Sequence, residues 1–295
     1  MRSEKFLLRL PPFTFSVSTD IPLVKDNARL IYGNACVDIS QRSRDDYIDY
    51  HLSLEKNTGV RRFYKPQARF FCDGREPFKP LTHSQAFAML EWGMNWTVAA
   101  HELQYVIVHS AVLEKNGKAI LFPAPPGSGK STLTAFLANN NWRLLSDEMA
   151  LVIPQTSTVL PFVRPICLKN QSIDLCQNWF ADATYSSVAK DTHKGDVIHM
   201  AANAHAQQNA AKPADIVGVV FPKYDVNTEL DIYQLNMREA FMQLVFNAFN
   251  FTAIGQDSFE TVTALIEKVK AFEICYSNLP EVDAFLTEEI ICCDD

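Results

Sequence analysis

Ala124-Pro125-Pro126-Gly127-Ser128-Gly129-Lys130-Ser131-Thr132 lies between an apolar run, Ile120–Phe122, and a segment of helical composition, Leu133–Ala138. Glycines at such a strand-to-helix turn permit backbone conformations that direct several N–H groups at one anion, and the helix N-terminus adds its own unpaired donors. The stretch approaches G-x-x-x-x-G-K-[ST], in which the lysine reaches the β/γ-phosphates and the serine hydroxyl holds Mg²⁺. It therefore predicts a nucleotide-binding phosphate loop with Lys130 and Ser131 in those two roles.

The match is incomplete at its first position, where Ala124 stands in place of glycine. The alternative interpretation is an ordinary strand-to-helix turn that contains Gly-Lys-Ser by chance, and the flanking strand and helix favour the phosphate loop. The residues predicted to bind the nucleotide are Pro126, Gly127, Ser128, Gly129, Lys130, Ser131 and Thr132.

Composition bounds the class of protein. A chain of 295 residues that is 47% hydrophobic can bury a full core in one or two domains. Its net charge of −7 and lack of any basic block argue against a nucleic-acid partner. No apolar stretch approaches the ~20 residues of a membrane span, and Met1–Leu10 has too short an apolar core for a signal peptide. We expect a soluble, cytoplasmic protein with no membrane partner.

Residues 1–80 are predicted to form a β-rich N-terminal region of unknown role, and residues 81–295 a mixed α/β domain. The predicted strands of the first region are Phe13–Val17, Arg29–Asp38, Ile48–Leu54 and Val60–Cys72. A helix is predicted over Thr82–Leu103, where apolar residues recur every three or four positions. Asn116-Gly117 then predicts a tight hairpin that delivers the chain into the loop.

Two acids follow the next predicted strand. That strand, Trp142–Ser146, ends at Asp147-Glu148. In a strand-loop-helix-strand unit both strands run parallel, so their carboxyl ends meet at one edge of the sheet. We therefore expect Asp147 and Glu148 beside the bound phosphates, the alternative being that they merely cap an element.

The rest of the chain alternates strands and helices. Strands are predicted at Met149–Ile153, Thr158–Val163, Ile166–Leu168, Ile216–Phe221, Leu230–Leu235 and Phe272–Tyr276, and helices at Gln171–Phe180, Arg238–Phe249, Phe259–Lys270 and from Pro280. The low-complexity tract Ala201–Pro213 is interpreted as a mobile loop or a frayed helix. Arg164, Lys169 and Lys194 are each either a solvated surface charge or a clamp on phosphate.

Together these residues resemble the HPr kinase/phosphorylase family, and most closely the group called HPr-kinase-related kinase A. The resemblance rests on Val108–Ala111, the hairpin Asn116-Gly117, the loop Pro126–Thr132 and the run Arg143–Glu148, and it covers roughly residues 105–170. It implies an α/β fold with a P-loop kinase domain akin to ATP-dependent phosphoenolpyruvate carboxykinase. The implied reaction is ATP-dependent phosphorylation of a serine hydroxyl, with ATP and Mg²⁺ as cofactors.

The resemblance also implies roles for single residues. Asp147 would be the catalytic base, Ser131 and Glu148 would lie on the metal side, and His109 near the phosphates. Glu148 replaces the family's usual aspartate and still reaches Mg²⁺ with a longer arm. Of the family's Glu-Ile-Arg-Gly-Leu-Gly signature only the arginine has a counterpart, Arg164. We assign Arg164 to the catalytic set as a clamp on the transferring group, with Lys194 as the alternative.

The predicted acceptor is a serine hydroxyl of a protein or peptide. HPr itself is not implied, because the downstream signature is missing. The alternatives are a kinase of a small-molecule hydroxyl such as free serine, and a non-catalytic binding module that uses ATP to set its conformation. Family members often form oligomers, so the resemblance also implies self-association.

Overall fold

The computed structural model describes residues 3–42, 46–57, 64 and 66–292, and its architecture is mixed α/β with several sheets. The chain divides into two compact units, the first made of residues 1–100 and 164–202 and the second of residues 101–163 and 203–295. The predicted division after residue 80 falls inside the first segment of the first unit. The two units are defined by compactness, whereas the predicted division rests on the change in sequence pattern. The division after residue 80 therefore stays a prediction.

The N-terminal part of the first unit contains a β-sheet and a helix. Its elements are β1 (Glu4–Leu10), β2 (Phe13–Thr19), α1 (Pro22–Tyr32), β3 (Cys36–Asp38), β4 (Tyr50–Lys56), β5 (Gln67–Cys72) and β6 (Leu81–Thr82). Among the described residues these six strands lie in the order β3-β1-β2-β4-β5-β6. Alternate residues of β2, such as Phe13, Phe15 and Val17, are buried, as expected for a half-buried strand.

The strand predicted over Arg29–Asp38 is wrong. Residues up to Tyr32 belong to helix α1, which begins at Pro22, and only Cys36–Asp38 is extended. The buried residues Val24, Ala28 and Ile31 recur at spacings of four and three, which is helical periodicity. The strand predicted at Ile48–Leu54 is confirmed with bounds two residues later, whereas part of the one predicted at Val60–Cys72 lies outside the described residues.

The remainder of the first unit combines a long helix with a small sheet. Its elements are α2 (Ala86–His101), β13 (Ile166–Lys169), α4 (Gln171–Trp179), β14 (Ala189–Thr192) and β15 (Gly195–Met200), and the sheet has the order β13-β15-β14. Ala88 of α2 packs with Cys167, Ala189 and Val197 of these strands. The sequence predicts α2, β13 and α4 but not β14 and β15. In β14 only Ala189 is buried, and β15 buries Val197–Met200 as a continuous run, so neither strand shows alternation.

The second unit contains the loop 124–132. Its strands are β7 (Val106–Val108), β8 (Ser110–Lys115), β9 (Lys118–Pro123), β10 (Arg143–Ser146), β11 (Ala150–Val152), β12 (Thr158–Leu160), β16 (Ala214–Tyr224), β17 (Asp231–Gln234) and β18 (Lys270–Tyr276). Its helices are α3 (Lys130–Ala138), α5 (Ala204–Gln208), α6 (Met237–Phe246), α7 (Phe251–Ile254), α8 (Gln256–Lys268) and α9 (Leu279–Leu286).

These strands form one sheet. In the part of the chain that the structure describes, seven of them follow the order β10-β8-β9-β16-β12-β11-β7, and β18 with its neighbour β17 attaches at β16. Helices α6 and α8 bury Leu244, Val262 and Leu265 against the sheet residues Val112, Leu121 and Val219, among others. This burial stabilises the sheet whose carboxyl edge carries the loop.

Strand directions bring the loop and the following acids to one edge. Both β9 and β10 pair antiparallel with β8, which lies between them, so β9 and β10 run in the same direction. The predicted hairpin is confirmed, since Lys115 pairs with Lys118 and both Asn116 (φ 58°) and Gly117 (φ 83°) have the left-handed backbone of a two-residue turn.

Two further segments differ from their predicted bounds or form. Strand β16 continues through Pro222 to Tyr224 in register with β18, whereas the predicted strand ends at Phe221. In the tract 201–213 the structure has the short helix α5, capped by the Asn203 side chain.

Among the described residues, none of the helices combines the length and the hydrophobicity that crossing a membrane requires.

Candidate functional site

The glycine loop, residues 124–129, joins the end of β9 to the start of α3. Gly127 (φ 90°) and Gly129 (φ 86°) both have left-handed backbone, which glycine adopts without steric cost. Lys130, Ser131 and Thr132 form the first turn of α3, where backbone N–H groups have no acceptor within the helix. The backbone therefore presents a set of donors at the mouth of the loop, as in an anion site.

Ala124 occupies the position at which the motif prefers glycine. Its side chain is buried in the protein interior. The methyl group therefore packs inward, while Pro125, Pro126 and Gly127 are exposed.

The end of β16 supports the loop from the protein side. The backbone N–H of Tyr224 donates to the Ser128 carbonyl at 2.9 Å. A Cβ atom at Gly129 would lie 2.7 Å from Tyr224 Cβ and 3.1 Å from the Tyr276 hydroxyl. Burial raises the pKa of that hydroxyl, so Tyr276 stays protonated. The sequence interpretation missed both tyrosines; their only signal is that each ends a strand.

Lys130, the predicted phosphate lysine, lies against the predicted histidine. Its side chain is largely buried, and Nζ lies 3.4 Å from Nε2 of His109. The backbone N–H of His109 donates to the Asn247 carbonyl at 2.7 Å, and its ring packs on Phe249 with centroids 5.5 Å apart. The chain after α6 therefore positions His109 beside Lys130.

Ser131, the predicted magnesium ligand, contacts the predicted base. Its hydroxyl donates to Oδ2 of Asp147 at 3.2 Å, and Asp147 is only 2% exposed. Asp147 directly follows β10, which is parallel to β9, so the strand geometry places it at the loop as the sequence interpretation expects. The structure brings the two residues together, and their chemical roles stay predictions.

Glu148 and Arg164 differ in their surroundings. Glu148 is half-buried, and its backbone carbonyl accepts from the N–H of Ser110, which anchors it beside the start of β8. Arg164 belongs to the first unit, where its Nη2 donates to the Glu91 carboxylate at 2.6 Å and Nη1 donates to Asn95. The clamp role of Arg164 stays a prediction, since its described contacts are those of a buried structural ion pair.

A cavity of about 530 Å³ opens beside the glycine loop; it is called the loop pocket below. Its walls include Gly127 and Ser128, the end of β16, two residues of β17 and Asn247. The Ser128 hydroxyl oxygen is buried and has no hydrogen-bond partner among the described residues. A buried hydroxyl without a partner is costly, so this oxygen indicates a ligand that supplies the missing partner.

The donor chemistry at the loop suits a phosphate chain and a hard cation. Backbone N–H groups, the Lys130 ammonium and the Ser128 hydroxyl favour an anion, and the Ser131 hydroxyl is an oxygen donor of the type that Mg²⁺ takes. Within the described ranges no group of three or more His, Cys, Asp or Glu side chains could hold a metal ion by itself. A cation here would take phosphate oxygens and waters as further ligands, which is the usual pattern for Mg²⁺.

Comparison with known proteins finds a similarity over the part of the chain that carries this site. Residues 81–170 match a family model described as SynChlorMet cassette protein ScmC. No curated protein matches the chain. The matched stretch is less than half of the chain and includes the glycine loop, His109, Asp147 and Glu148, so over this stretch the protein is similar to that family.

Proposed function

We propose that this protein is an ATP-dependent kinase that transfers the γ-phosphate to a serine hydroxyl of a protein or peptide, with a P-loop kinase domain of the HPr kinase/PEP carboxykinase type. The single observation that carries the proposal is the 3.2 Å contact between the Ser131 hydroxyl and the Asp147 carboxylate at the glycine loop. A phosphate loop alone indicates nucleotide binding; a buried acid at its serine adds a group for handling a metal ion or a hydroxyl proton.

The residues present fit Mg-ATP. The loop amides, Lys130 and the Ser128 hydroxyl would hold the β- and γ-phosphates, and Ser131 with Glu148 would hold Mg²⁺. When bound, Mg²⁺ neutralises charge that develops on the phosphate oxygens. The orphaned Ser128 oxygen supports this fit independently of the motif.

The chain's own residues then have distinct tasks. Lys130 stabilises negative charge on the transferring phosphoryl group, and His109 fixes the Lys130 ammonium on one side. The oxygen of the acceptor serine bonds to the γ-phosphorus of ATP while the bond between that phosphorus and ADP breaks, and Asp147 accepts the proton of the serine hydroxyl. The contact with Ser131 aligns Asp147 before the acceptor arrives.

Substitution of Asp147 tests the proposal. Asp147→Asn keeps the size of the side chain and a polar contact to Ser131 but removes the base, and we expect transfer of labelled γ-phosphate to fall by about 10²–10⁴-fold. Binding of a fluorescent ATP analogue should change far less. The matched control is Asp174→Asn, at an exposed acid of α4 in the first unit. Equal transfer rates for wild type and Asp147→Asn would show that Asp147 is not the base.

A second candidate is a kinase of a small-molecule hydroxyl such as free serine. The observation that favours it is the loop pocket, whose volume of about 530 Å³ lies in the range of small-ligand sites. Assays with free amino acids beside cell extract separate the two candidates by the mass of the phosphorylated product. ATP binding without turnover in either assay would instead indicate a non-catalytic module. A cytoplasmic location and self-association stay predictions.

A further inference from the structure

Strand β17 presents an open edge beside the loop pocket. In the described part of the chain β17 pairs with β18 alone, and all four of its residues are exposed. An open strand edge carries unpaired backbone donors and acceptors that another extended chain can pair with.

The register shows which backbone groups face outward. In the pairing with β18, Asp231 lies opposite Cys275 and Tyr233 lies opposite Glu273. The same register places Leu235 opposite Ala271. The N–H of Leu235 donates to the Ala271 carbonyl at 2.9 Å, so this pair is hydrogen-bonded. Hydrogen-bonded positions alternate in an antiparallel pair, so residues 231, 233 and 235 bond to β18. The N–H and C=O groups of Ile232 and Gln234 therefore point away from the sheet.

The two faces of β17 line two different cavities. Asp231 and Tyr233 line the loop pocket, whose opposite wall includes Gly127 and Ser128. Ile232 and Gln234 line a second cavity of about 650 Å³, which is called the acidic cavity below. Successive side chains of an added strand would enter the two cavities in turn, because strand side chains alternate between faces.

The acidic cavity indicates the charge of the chain that fits. Its lining contains Glu281, Glu288 and Glu289 around the aromatic residues Phe272 and Phe285, and it includes no Lys or Arg among the described residues. Carboxylates beside aromatic faces favour lysine or arginine side chains, which combine an apolar stem with a cation. An added strand with a basic residue at every second position would therefore place those residues in the acidic cavity.

We propose that the β17 edge binds an extended peptide by strand addition, with Lys or Arg side chains in the acidic cavity and a serine between them in the loop pocket. The backbone supplies affinity through Ile232 and Gln234, and the alternation of side chains supplies specificity. The serine then enters the pocket whose other wall is the glycine loop. The identity of this peptide as the phosphate acceptor rests on the proposed function, whereas its docking requires no nucleotide.

Anisotropy of a fluorescein-labelled peptide tests the docking. The probe is a peptide of alternating lysine and serine about eight residues long, titrated with the full chain in low salt without nucleotide. Ile232→Pro removes an outward N–H and leaves the bonds to β18 intact, and we expect it to weaken binding roughly three- to tenfold, the effect of one hydrogen bond. Ile232→Val keeps the N–H and should bind as wild type does.

A second pair of measurements keeps the test independent of folding of the proline variant. The same peptide N-methylated on alternate residues should bind wild type more weakly when the methyl groups face β17. Glu288→Gln with Glu289→Gln should weaken binding and flatten its dependence on salt, because both carboxylates attract the lysines.

Four results would overturn the proposal. The first is absence of binding, and the second is equal affinity of Ile232→Pro and wild type for the peptide. The third is equal affinity of wild type for the lysine-serine peptide and for a glutamate-serine peptide. The fourth is a self-association that Ile232→Pro abolishes, because a second copy of the chain would then be the occupant. Docking without phosphate transfer would refute the identity of this peptide as the phosphate acceptor and leave the docking site standing. If phosphate is transferred to the peptide and Ile232→Pro does not slow the transfer, the docking site is refuted and the kinase activity stands.

Discussion

Alanine substitutions at Gly127 and Gly129 separate the ligand-facing side of the glycine loop from its protein-facing side. Both residues have φ near +90°, so alanine strains the backbone at either position. A Cβ atom at Gly127 would meet nothing within 4 Å, whereas one at Gly129 would lie 2.7 Å from Tyr224 Cβ. The pair therefore differs in one respect, which is what the added methyl group contacts.

The magnitudes follow from these contacts. Left-handed backbone raises the free energy of the folded state by about 1–2 kcal/mol for an alanine. About 0.4–1 kcal/mol of this is offset, because replacing glycine by alanine also lowers the conformational entropy of the unfolded chain. Gly127→Ala should thus lower the free energy of unfolding by about 1 kcal/mol. Gly129→Ala adds an overpacking cost of about 1–3 kcal/mol, because Tyr224 Cβ is attached to the backbone of β16 and cannot rotate away.

Urea unfolding and titration with a fluorescent ATP analogue measure the two effects separately. We expect Gly127→Ala to weaken nucleotide binding about tenfold or more, equal to about 1.4 kcal/mol or more, because its methyl group enters the space assigned to the phosphates. Gly129→Ala should show the larger loss of stability. If Gly127→Ala binds the nucleotide as tightly as wild type, the open side of the loop is not the phosphate site.

Two other predictions concern the first unit. Glu91→Gln removes the carboxylate that pairs with the buried Arg164, so urea titrations should show the free energy of unfolding fall by about 3–5 kcal/mol. The control Glu76→Gln, which breaks a more exposed ion pair, should lower it much less. Burial raises the pKa of the Cys36 thiol to about 11. At pH 8.5 it is protonated, so iodoacetamide should label the exposed Cys292 first, and Cys36 labelling should accelerate as pH rises toward 11, as peptide mass spectrometry would show.

Local chemistry explains which elements the sequence predicts well. The Asn116-Gly117 turn, the strand-loop-helix unit around Gly127 and the long helix α2 each follow from residues within a few positions of one another. Prediction failed where a local pattern was ambiguous. Leu30, Ile31 and Tyr32 resemble a strand in isolation, and only the buried positions from Val24 onward reveal the helical period.

Contacts between distant segments explain the parts of the site that the sequence does not predict. Tyr224 and Tyr276 support Gly129 although both follow it by many residues, and Asn247 positions His109. No short-range pattern relates such residues, because their proximity depends on which strands become neighbours in the sheet. The same holds for the β17 edge, because among the described residues β17 pairs with no strand besides β18.

The amino-acid sequence alone therefore determined the glycine loop, the hairpin before it and the acids after the next strand, because backbone preferences of glycine and asparagine act over single residues. Tertiary structure alone decided that β8 lies between β9 and β10, that the β16 end supports Gly129, and that residues 164–202 pack with the N-terminal unit. These outcomes depend on burying the apolar faces of many elements at once, and that condition is satisfied by the whole chain rather than by any segment of it.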